Sequence, residues 1–315
     1  MSSVVPPSRL ARLPGPPRPT LPRLRLDPAT VRIIRGGFIV VGLLFLGYLF
    51  AFAAPKVGTF GYDAYAYWSV DASDPYLIAH GQFGSFVYSP ALAQVFALVG
   101  GLPWWQFIFL WTSLLVGTII WLGGRAALLV LAIPMVAVEL YYGNVHLLLA
   151  AAIVLGFRYP GAWAFVLLSK VTPGVGLAWF ASRREWRSLG IALLATAVIV
   201  SVSFVLAPHL WSDWINALRS DAGAGTPNGA LPVPLWLRLP AAFGLVWWGG
   251  RTGRRWTVVV GAMVALPVIW LTSFAMLAGL VAVSRMAPLP SPESRRDALP
   301  QPPLTSVATA PEASR

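Results

Sequence analysis

The sequence predicts an all-α integral membrane protein, a polytopic helical bundle of about ten membrane segments. Of its 315 residues, 57% are hydrophobic and only 11% are charged, and the mean hydropathy is +0.70. An ordinary soluble domain carries roughly a quarter charged residues. Apolar runs long enough to cross a bilayer recur along the chain, the first from near Ile33, and arginines cluster beside these runs.

The basic charge lies next to the apolar runs, although a net charge of +12 would also suit a nucleic-acid partner. One cluster precedes the first run and two others separate later runs: Arg9, Arg12, Arg18, Arg23, Arg25, Arg32 and Arg35, then Arg183, Arg184 and Arg187, then Arg251, Arg254 and Arg255. This distribution places the N-terminus and both loops in the cytoplasm, and it favours contact with anionic membrane lipids. No folded basic domain remains, so we expect no nucleic-acid partner.

Proline-rich tails at residues 1–30 and 288–315 are predicted to be disordered. Between them, 31–287 form the membrane domain, with outward loops at 54–87 and 208–232. The predicted membrane segments are 33–53, 88–101, 104–122, 126–141, 144–157, 161–182, 188–207, 233–250 and 256–284. The last is either one tilted span or two short legs bent at Pro267. The bent form is favoured, because it places Arg285 inside.

The first outward loop contains "TFGYDAYAYWSVDASDPY" (59–76), which holds three of the eleven acidic residues among six aromatic ones. For Asp71 and Asp74 we expect solvated loop and turn positions. Asp63 stands between Tyr62 and Tyr65. Interfacial aromatic residues are common in membrane proteins, yet rings beside a carboxylate also suit a sugar site, and a carboxylate there can act as a general base.

Polar residues within the apolar runs are the other candidates, because a charged side chain at bilayer depth costs about 2.5–3.5 kcal/mol or more. Lys170 lies inside "LLSKVTPGVG". We favour a point charge for a phosphate over pairing with Glu139 or snorkelling to an interface. Glu139 and His146 flank "YYGN", and a buried structural pair of Glu139 with either Lys170 or His146 is the expectation for them. Asn144 either hydrogen-bonds a ligand or caps the following helix.

Several short motifs in order resemble glycosyltransferase family 87, which holds polyprenol-phosphate-mannose-dependent α-mannosyltransferases of actinobacteria. The motifs, spread over about 33–207, are DAYAYW (63–68), DPY (74–76), YSPAL (88–92), LP (102–103), YGN (142–144), KVTP (170–173) and RREWR (183–187). The resemblance implies a GT-C fold with a catalytic aspartate in the first outward loop, where Asp63 stands. It also implies substrate-binding roles for Asn144 and Lys170, which match family positions. We further expect substrate to be bound by Tyr62, Tyr65, Tyr88, Arg219 and Asn228.

Two later segments resemble family elements but differ in their residues. Asn228, in "TPNGALPVPLWLRL", resembles an Asn-Gln-Ser segment, although Gln and Ser are missing. "LPVIW" (266–270) resembles a Ser-Pro-x-x-Trp element that a histidine usually follows; Leu271, Thr272 and Ser273 stand there instead.

The resemblance implies a glycosyltransferase in a bacterial plasma membrane, with its active site outside. It would move a sugar, with mannose expected, from a polyprenyl-phosphate donor to an outward-facing glycolipid or glycan acceptor. A single base and direct displacement would invert the anomeric centre. Asp63 is the expected base, and Lys170 the expected cation for the phosphate, with Arg158 and Arg219 as outer-loop alternatives.

We expect no tightly bound cofactor, and a need for a divalent metal stays open. With no cysteine and only three histidines, a His/Cys metal site is not predicted. The alternatives are a transporter or flippase of lipid-linked sugars with Lys170 and Glu139 along its path, a catalytically inactive partner subunit, and a related enzyme that transfers arabinofuranose.

Overall fold

A computed structural model describes residues 27–222 and 230–287, and within these ranges the chain is helical, without a strand. Short 3₁₀ segments and one π-helical turn (Leu49–Ala53) connect or extend the α-helices. The α-helices are α1 (Pro28–Tyr48), α2 (Ala54–Val57), α3 (Tyr62–Trp68), α4 (Pro90–Ala97), α5 (Trp104–Gly123), α6 (Ala127–Leu131), α7 (Pro134–Tyr142), α8 (His146–Gly156), α9 (Trp163–Ser169), α10 (Ala178–Ser182), α11 (Trp186–Leu206), α12 (Pro208–Ala222), α13 (Leu235–Thr252), α14 (Trp256–Val264) and α15 (Gly279–Ser284).

The first helix begins earlier than the composition suggested. Asp27 caps α1 by accepting hydrogen bonds from the backbone N–H groups of Ala29 and Thr30, and Pro28 occupies the first helical position. Residues 28–30, predicted to belong to a disordered tail, are therefore helical. The rest of that tail, 1–26, and the whole of the second, 288–315, lie outside the described residues.

Three helical stretches of the described chain are long and apolar enough to cross a membrane: Pro28–Val57, Trp104–Leu131 and Trp186–Leu206. The pair α7 and α8 is long and apolar enough only when the two helices are taken together, and it is bent by 109° at the break between them. The predicted count of about ten segments is thus not confirmed. Several predicted spans are short helices in the structure, because glycine and proline interrupt them.

The core lies between α5, α8, α9, α14 and the 3₁₀ segment Leu271–Ala278. By contrast, α1 and α11 expose most of their apolar side chains and pack against the rest along narrow strips. A Cβ at Gly42 of α1 would meet Ala132 at 2.4 Å, so the close approach there requires glycine. Apolar helices with such exposed faces are expected where lipid surrounds the protein.

Three interrupted hairpins define the interior. The first bends at Gly143 between α7 and α8, and the second at Lys170 between α9 and the 3₁₀ segment Thr172–Leu177. The third bends around Pro267, between α14 and Leu271–Ala278. Non-helical backbone at bilayer depth is tolerated where protein surrounds it or where it lines a cavity. The first break is buried at Gly143 and Asn144, whereas the second and third expose Val171 and Pro267.

Arginines gather at one end of the bundle, here called the arginine end and defined by Arg183, Arg251, Arg254, Arg255 and Arg285. Arg183 donates to the Gly250 carbonyl, and Arg285 donates to carbonyls at the C-terminus of α5. Arg255 donates to the Ala287 carbonyl at 2.6 Å, which joins the start of α14 to the end of α15. Residues 256–284 therefore form two legs, and the bent form is confirmed.

Arg158 also lies at the arginine end, whereas the sequence predicted it on the side opposite to Arg183. The Arg255 guanidinium lies 5.8 Å from the ring of the neighbouring Phe157, which also packs on Trp179. The reason is the second hairpin. The chain descends along α8 to Arg158, rises along α9 to Lys170, and returns to Arg183, where a single crossing of 161–182 was expected.

Candidate active site

Asp63 is held in the interior by two glycines with left-handed backbone. Gly61 (φ 71°) precedes α3 and donates to the Tyr141 carbonyl at 2.9 Å, which ties α3 to the end of α7. Gly143 (φ 72°) ends α7, and a Cβ there would meet the Cβ of Ala64 at 2.7 Å. Both positions need glycine for conformation and space. They bring Asp63 against the first interrupted hairpin.

Asn144 binds the Asp63 carboxylate directly. Its side-chain Nδ2 donates to Asp63 Oδ2 at 2.7 Å, while its Oδ1 accepts the N–H of Val145 at 2.7 Å. Because Oδ1 accepts from a backbone N–H, the amide is oriented with its donor group toward Asp63. Asn144 therefore positions Asp63, an interaction that neither reading of Asn144 from the sequence included.

Burial changes the acidity of Asp63, which lies in the loop beyond the first span. Removal from water raises the pKa of its carboxyl to about 6, and the hydrogen bond from Asn144 opposes this shift. A carboxylate with a pKa near 6 is ionised at neutral pH yet binds a proton more readily than an exposed one. These are the properties of a general base.

Lys170 is connected to Glu139 through a histidine. Glu139 Oε2 accepts from Nδ1 of His146 at 3.0 Å, and Glu139 Oε1 accepts the backbone N–H of His146 at 2.6 Å. Because Nδ1 donates, the lone pair of Nε2 is free to accept, and the Lys170 ammonium lies 3.4 Å from it. Of the two pairs that the sequence left open for Glu139, the described residues show the one with His146 and not a direct pair with Lys170.

Ser273 completes this group, and sequence reasoning missed it as a site residue. Its hydroxyl lies 3.3 Å from His146 Nε2 and accepts the N–H of Trp270 at 3.1 Å. The side chain comes from the third hairpin, whose bend is fixed by Arg238. That guanidinium donates to the carbonyls of Val233, Val264, Leu266 and Pro267. In the family a histidine usually follows this element, and Leu271, Thr272 and Ser273 stand in its place here. The missing histidine was the one feature of the sequence that could have pointed to Ser273.

The predicted aromatic residues each pack against another ring. The ring of Tyr65 is stacked on Phe83, with centroids 4.5 Å apart, and Tyr62 packs on Phe83 at 5.0 Å. Tyr88 is buried, and its hydroxyl pairs with that of Tyr67 at 3.0 Å. Substrate contacts of Tyr62, Tyr65 and Tyr88 stay predictions, and the Tyr67–Tyr88 pair is a feature that the sequence did not reveal.

Three further residues singled out from the sequence, Arg219, Asp71 and Asp74, are exposed. Arg219 is exposed on α12, and Asn228 lies outside the described residues. Asp71 and Asp74 are exposed, as expected for loop positions, and Asp71 accepts from the backbone N–H and hydroxyl of Ser73.

A cavity of about 650 Å³ lies between the first outward loop and α12. Its wall includes the rings of Tyr76 and Trp214, the carboxylates of Asp74 and Asp213 and the amide of Asn216. Tyr76 donates to the carbonyl of Tyr88, and Trp214 donates to the carbonyl of Val87. Both rings are therefore held by the segment that precedes α4. Rings with carboxylates and amides are the groups that bind sugars.

The site as a whole combines a buried carboxylate, a lysine and a helix break. Within 27–222 and 230–287, no three His, Cys, Asp or Glu side chains are grouped as metal ligands would be. Asp63 can accept a proton, and the Lys170 ammonium can stabilise an anion, since it belongs to neither ion pair of the described chain. The arrangement suits displacement of an anionic leaving group by a hydroxyl.

Comparison with known protein families gave one match, to glycosyltransferase family 87, over residues 86–294. No curated protein and no solved structure matched the chain. The matched residues include Asn144, Lys170 and Ser273 but begin after Asp63, so the evidence for Asp63 comes from its geometry. Since the match covers well over half of the sequence, the chain belongs to glycosyltransferase family 87 and is a membrane glycosyltransferase.

Proposed function

We propose that this glycosyltransferase moves a sugar, with mannose the expected one, from a polyprenyl-phosphate donor to an outward-facing glycolipid or glycan, with inversion. The observation that carries the proposal is the convergence of Asp63, Asn144 and Lys170 at the breaks of two hairpins inside an apolar bundle. A lipid-linked donor enters such a bundle from the bilayer.

Asp63 acts as the general base in this mechanism. The acceptor hydroxyl gives its proton to the Asp63 carboxylate as its oxygen attacks the anomeric carbon. The bond from that carbon to the phosphate oxygen breaks, and the electron pair leaves with the polyprenyl phosphate. One displacement inverts the anomeric centre. Asn144 orients the carboxylate through its 2.7 Å hydrogen bond.

Lys170 stabilises the negative charge that develops on the departing phosphate. Its ammonium has three donors, and the contact with His146 Nε2 involves one of them. Glu139 holds the imidazole through two hydrogen bonds, so that His146 Nε2 offers an acceptor to a lysine that would otherwise lack one in an apolar interior. This arrangement leaves the remaining donors of Lys170 for a ligand.

We take the arginine end as cytoplasmic, following the positive-inside rule. The start of α5 contacts Gly61 and its end contacts Arg285, so α3 lies toward the opposite end of the bundle. Asp63 then faces the outer leaflet of the plasma membrane. The aromatic and acidic cavity beside α12 lies on the same side, which supports a carbohydrate-bearing acceptor.

The test is transfer of labelled mannose from polyprenyl-phosphate mannose to membrane lipid, using membranes that contain equal amounts of wild type, Asp63→Asn or Asp71→Asn. We expect wild type and Asp71→Asn to transfer mannose and Asp63→Asn to lose at least about 100-fold. Asp71 is the matched control, since it is an exposed aspartate of the same loop. Equal transfer by all three proteins would remove Asp63 from catalysis, and no transfer by any would reject mannose as the donor sugar.

A further inference from the structure

Buried hydroxyl groups without a hydrogen-bond partner occur on two adjoining segments, one of which contains Lys170. The described chain has five buried side-chain atoms of this kind, and three belong to Ser89, Ser169 and Thr172. The exposed fraction of Ser89 is 0% and that of Ser169 is 4%. An unpaired buried hydroxyl is unfavourable, and most buried polar groups in proteins have a partner. Three such hydroxyls on adjoining segments therefore indicate that a ligand supplies the missing hydrogen-bond partners.

The three hydroxyls come from two facing segments. The backbone N–H of Ser89 donates to the Leu168 carbonyl at 3.2 Å, which places Ser89 against the last turn of α9. Ser169 ends that helix, Lys170 follows in extended backbone, and Thr172 begins the 3₁₀ segment behind it. The break of the second hairpin thus presents two hydroxyl-bearing residues on either side of the lysine.

Ser89 also stands at the N-cap of α4, yet its hydroxyl does not cap that helix. A serine at this position normally accepts from the second or third backbone N–H of the helix. Here the hydroxyl is unused while the positive end of the α4 dipole lies behind it, an arrangement that favours an anion. An anion that could accept hydrogen bonds from these hydroxyls and from Lys170 must have several acceptor oxygens.

We infer that Ser89, Ser169 and Thr172 form, with Lys170, the binding site for the phosphate of a polyprenyl-phosphate lipid. This inference rests on the proposed function and extends it, because it assigns hydroxyl donors to the phosphate oxygens. A phosphodiester in the donor, and the phosphate monoester that departs, both offer acceptor oxygens to three hydroxyls and an ammonium. The hydroxyls bind the leaving group throughout the reaction.

The test uses Ser89→Ala, Ser169→Ala and Thr172→Val, with Thr112→Val as the matched control. Thr112 on α5 carries another unpaired buried hydroxyl, outside the two segments around Lys170. Two quantities are measured on the purified proteins: the Kd for farnesyl phosphate, compared with farnesol, and the midpoint of thermal unfolding. We expect each site variant to weaken binding of farnesyl phosphate by about tenfold and to leave farnesol binding unchanged.

The thermal midpoint separates this role from a structural one. Removing an unpaired buried hydroxyl is expected to leave stability unchanged or to raise it, so lost affinity at equal or higher stability supports the site. Unchanged affinity in all three variants, or the same loss in Thr112→Val, would overturn the inference. Displacement of farnesyl phosphate by inorganic phosphate at equal concentration would overturn the assignment to a lipid phosphate.

These binding measurements do not depend on transfer. A wild type that binds farnesyl phosphate more tightly than farnesol but transfers no sugar would contradict the proposed function and support the phosphate site. Transfer by wild type with equal Kd values for the two lipids would support the proposed function and overturn the phosphate site.

Discussion

At the scale of the residue, Asn144 and Asp63 explain how an apolar bundle maintains a reactive carboxylate. The Asp63 carboxyl is buried and its pKa is raised to about 6, and the Asn144 hydrogen bond limits that rise. Protonated Asp63 cannot act as a base. The rate of transfer should therefore fall as the pH decreases through about 6 and be constant above it until another group titrates.

Replacing Asn144 by alanine should raise the pH at which the rate of transfer begins to fall. The variant lacks the hydrogen bond that favours the charged form, so the pKa of Asp63 should rise by roughly one unit or more. Transfer rates are measured at several pH values from about 5 to about 8, a range that includes the pKa of Asp63 in both proteins. Gln94→Ala, which removes an amide hydrogen bond to Ser203 of α11, is the control and should keep the wild-type profile. A fall at the same pH in Asn144→Ala and wild type would show that Asn144 does not tune Asp63.

The candidate site could be predicted in part at this scale. Lys170 and Asn144 were recognised because polar side chains within apolar runs are rare and costly, and Asp63 because it stands among aromatic residues at the family's aspartate position. Ser273 and Ser89 were not recognised as site residues, since serine is compatible with a helix, a cap or a bilayer interior. Their roles depend on contacts between segments far apart in the sequence, which local patterns do not contain.

At the scale of the element, Arg238 determines the third hairpin. Helix breaks leave carbonyl groups without partners, and in an apolar interior each such group is expensive. The Arg238 guanidinium donates to four of them, from Val233 to Pro267. The arginine therefore stabilises the bend that places Ser273 against His146.

Substituting Arg238 by methionine should destabilise the protein by about 2–3 kcal/mol or more, because several buried carbonyls lose their donors. The measurement is the midpoint of thermal unfolding in detergent. Arg251→Met, which changes an exposed arginine of the same helix, should leave the midpoint nearly unchanged. Equal midpoints for wild type and Arg238→Met would contradict the role of Arg238 in the hairpin.

The helix breaks also show where prediction from sequence stopped. Composition predicted an all-α membrane bundle, and the positive-inside rule favoured the bent form of 256–284. The single crossing of 161–182 was wrong, because a ~20-residue apolar stretch has the length of a span whether it crosses or turns back. Lys170 and Pro173 at its centre mark the turn, but a kinked span would show the same residues.

At the scale of the whole molecule, the arginine end and the end that carries Asp63 should lie on opposite sides of the membrane. The chain has no cysteine, so single cysteines report position without background. Ala72→Cys, in the first outward loop, should react with an impermeant maleimide in intact cells. Thr252→Cys, at the exposed last residue of α13, should react only after permeabilisation. The opposite pattern would invert the topology and place Asp63 in the cytoplasm.

The central claim is that Asp63 removes the acceptor proton while Lys170 and its neighbours hold the donor phosphate. The most direct test measures donor affinity and single-turnover rate for purified wild type and Asp63→Asn in lipid nanodiscs. We predict that Asp63→Asn binds polyprenyl-phosphate mannose as wild type does and transfers mannose at least about 100-fold more slowly. A rate within a few fold of wild type, at equal donor affinity, would contradict the account.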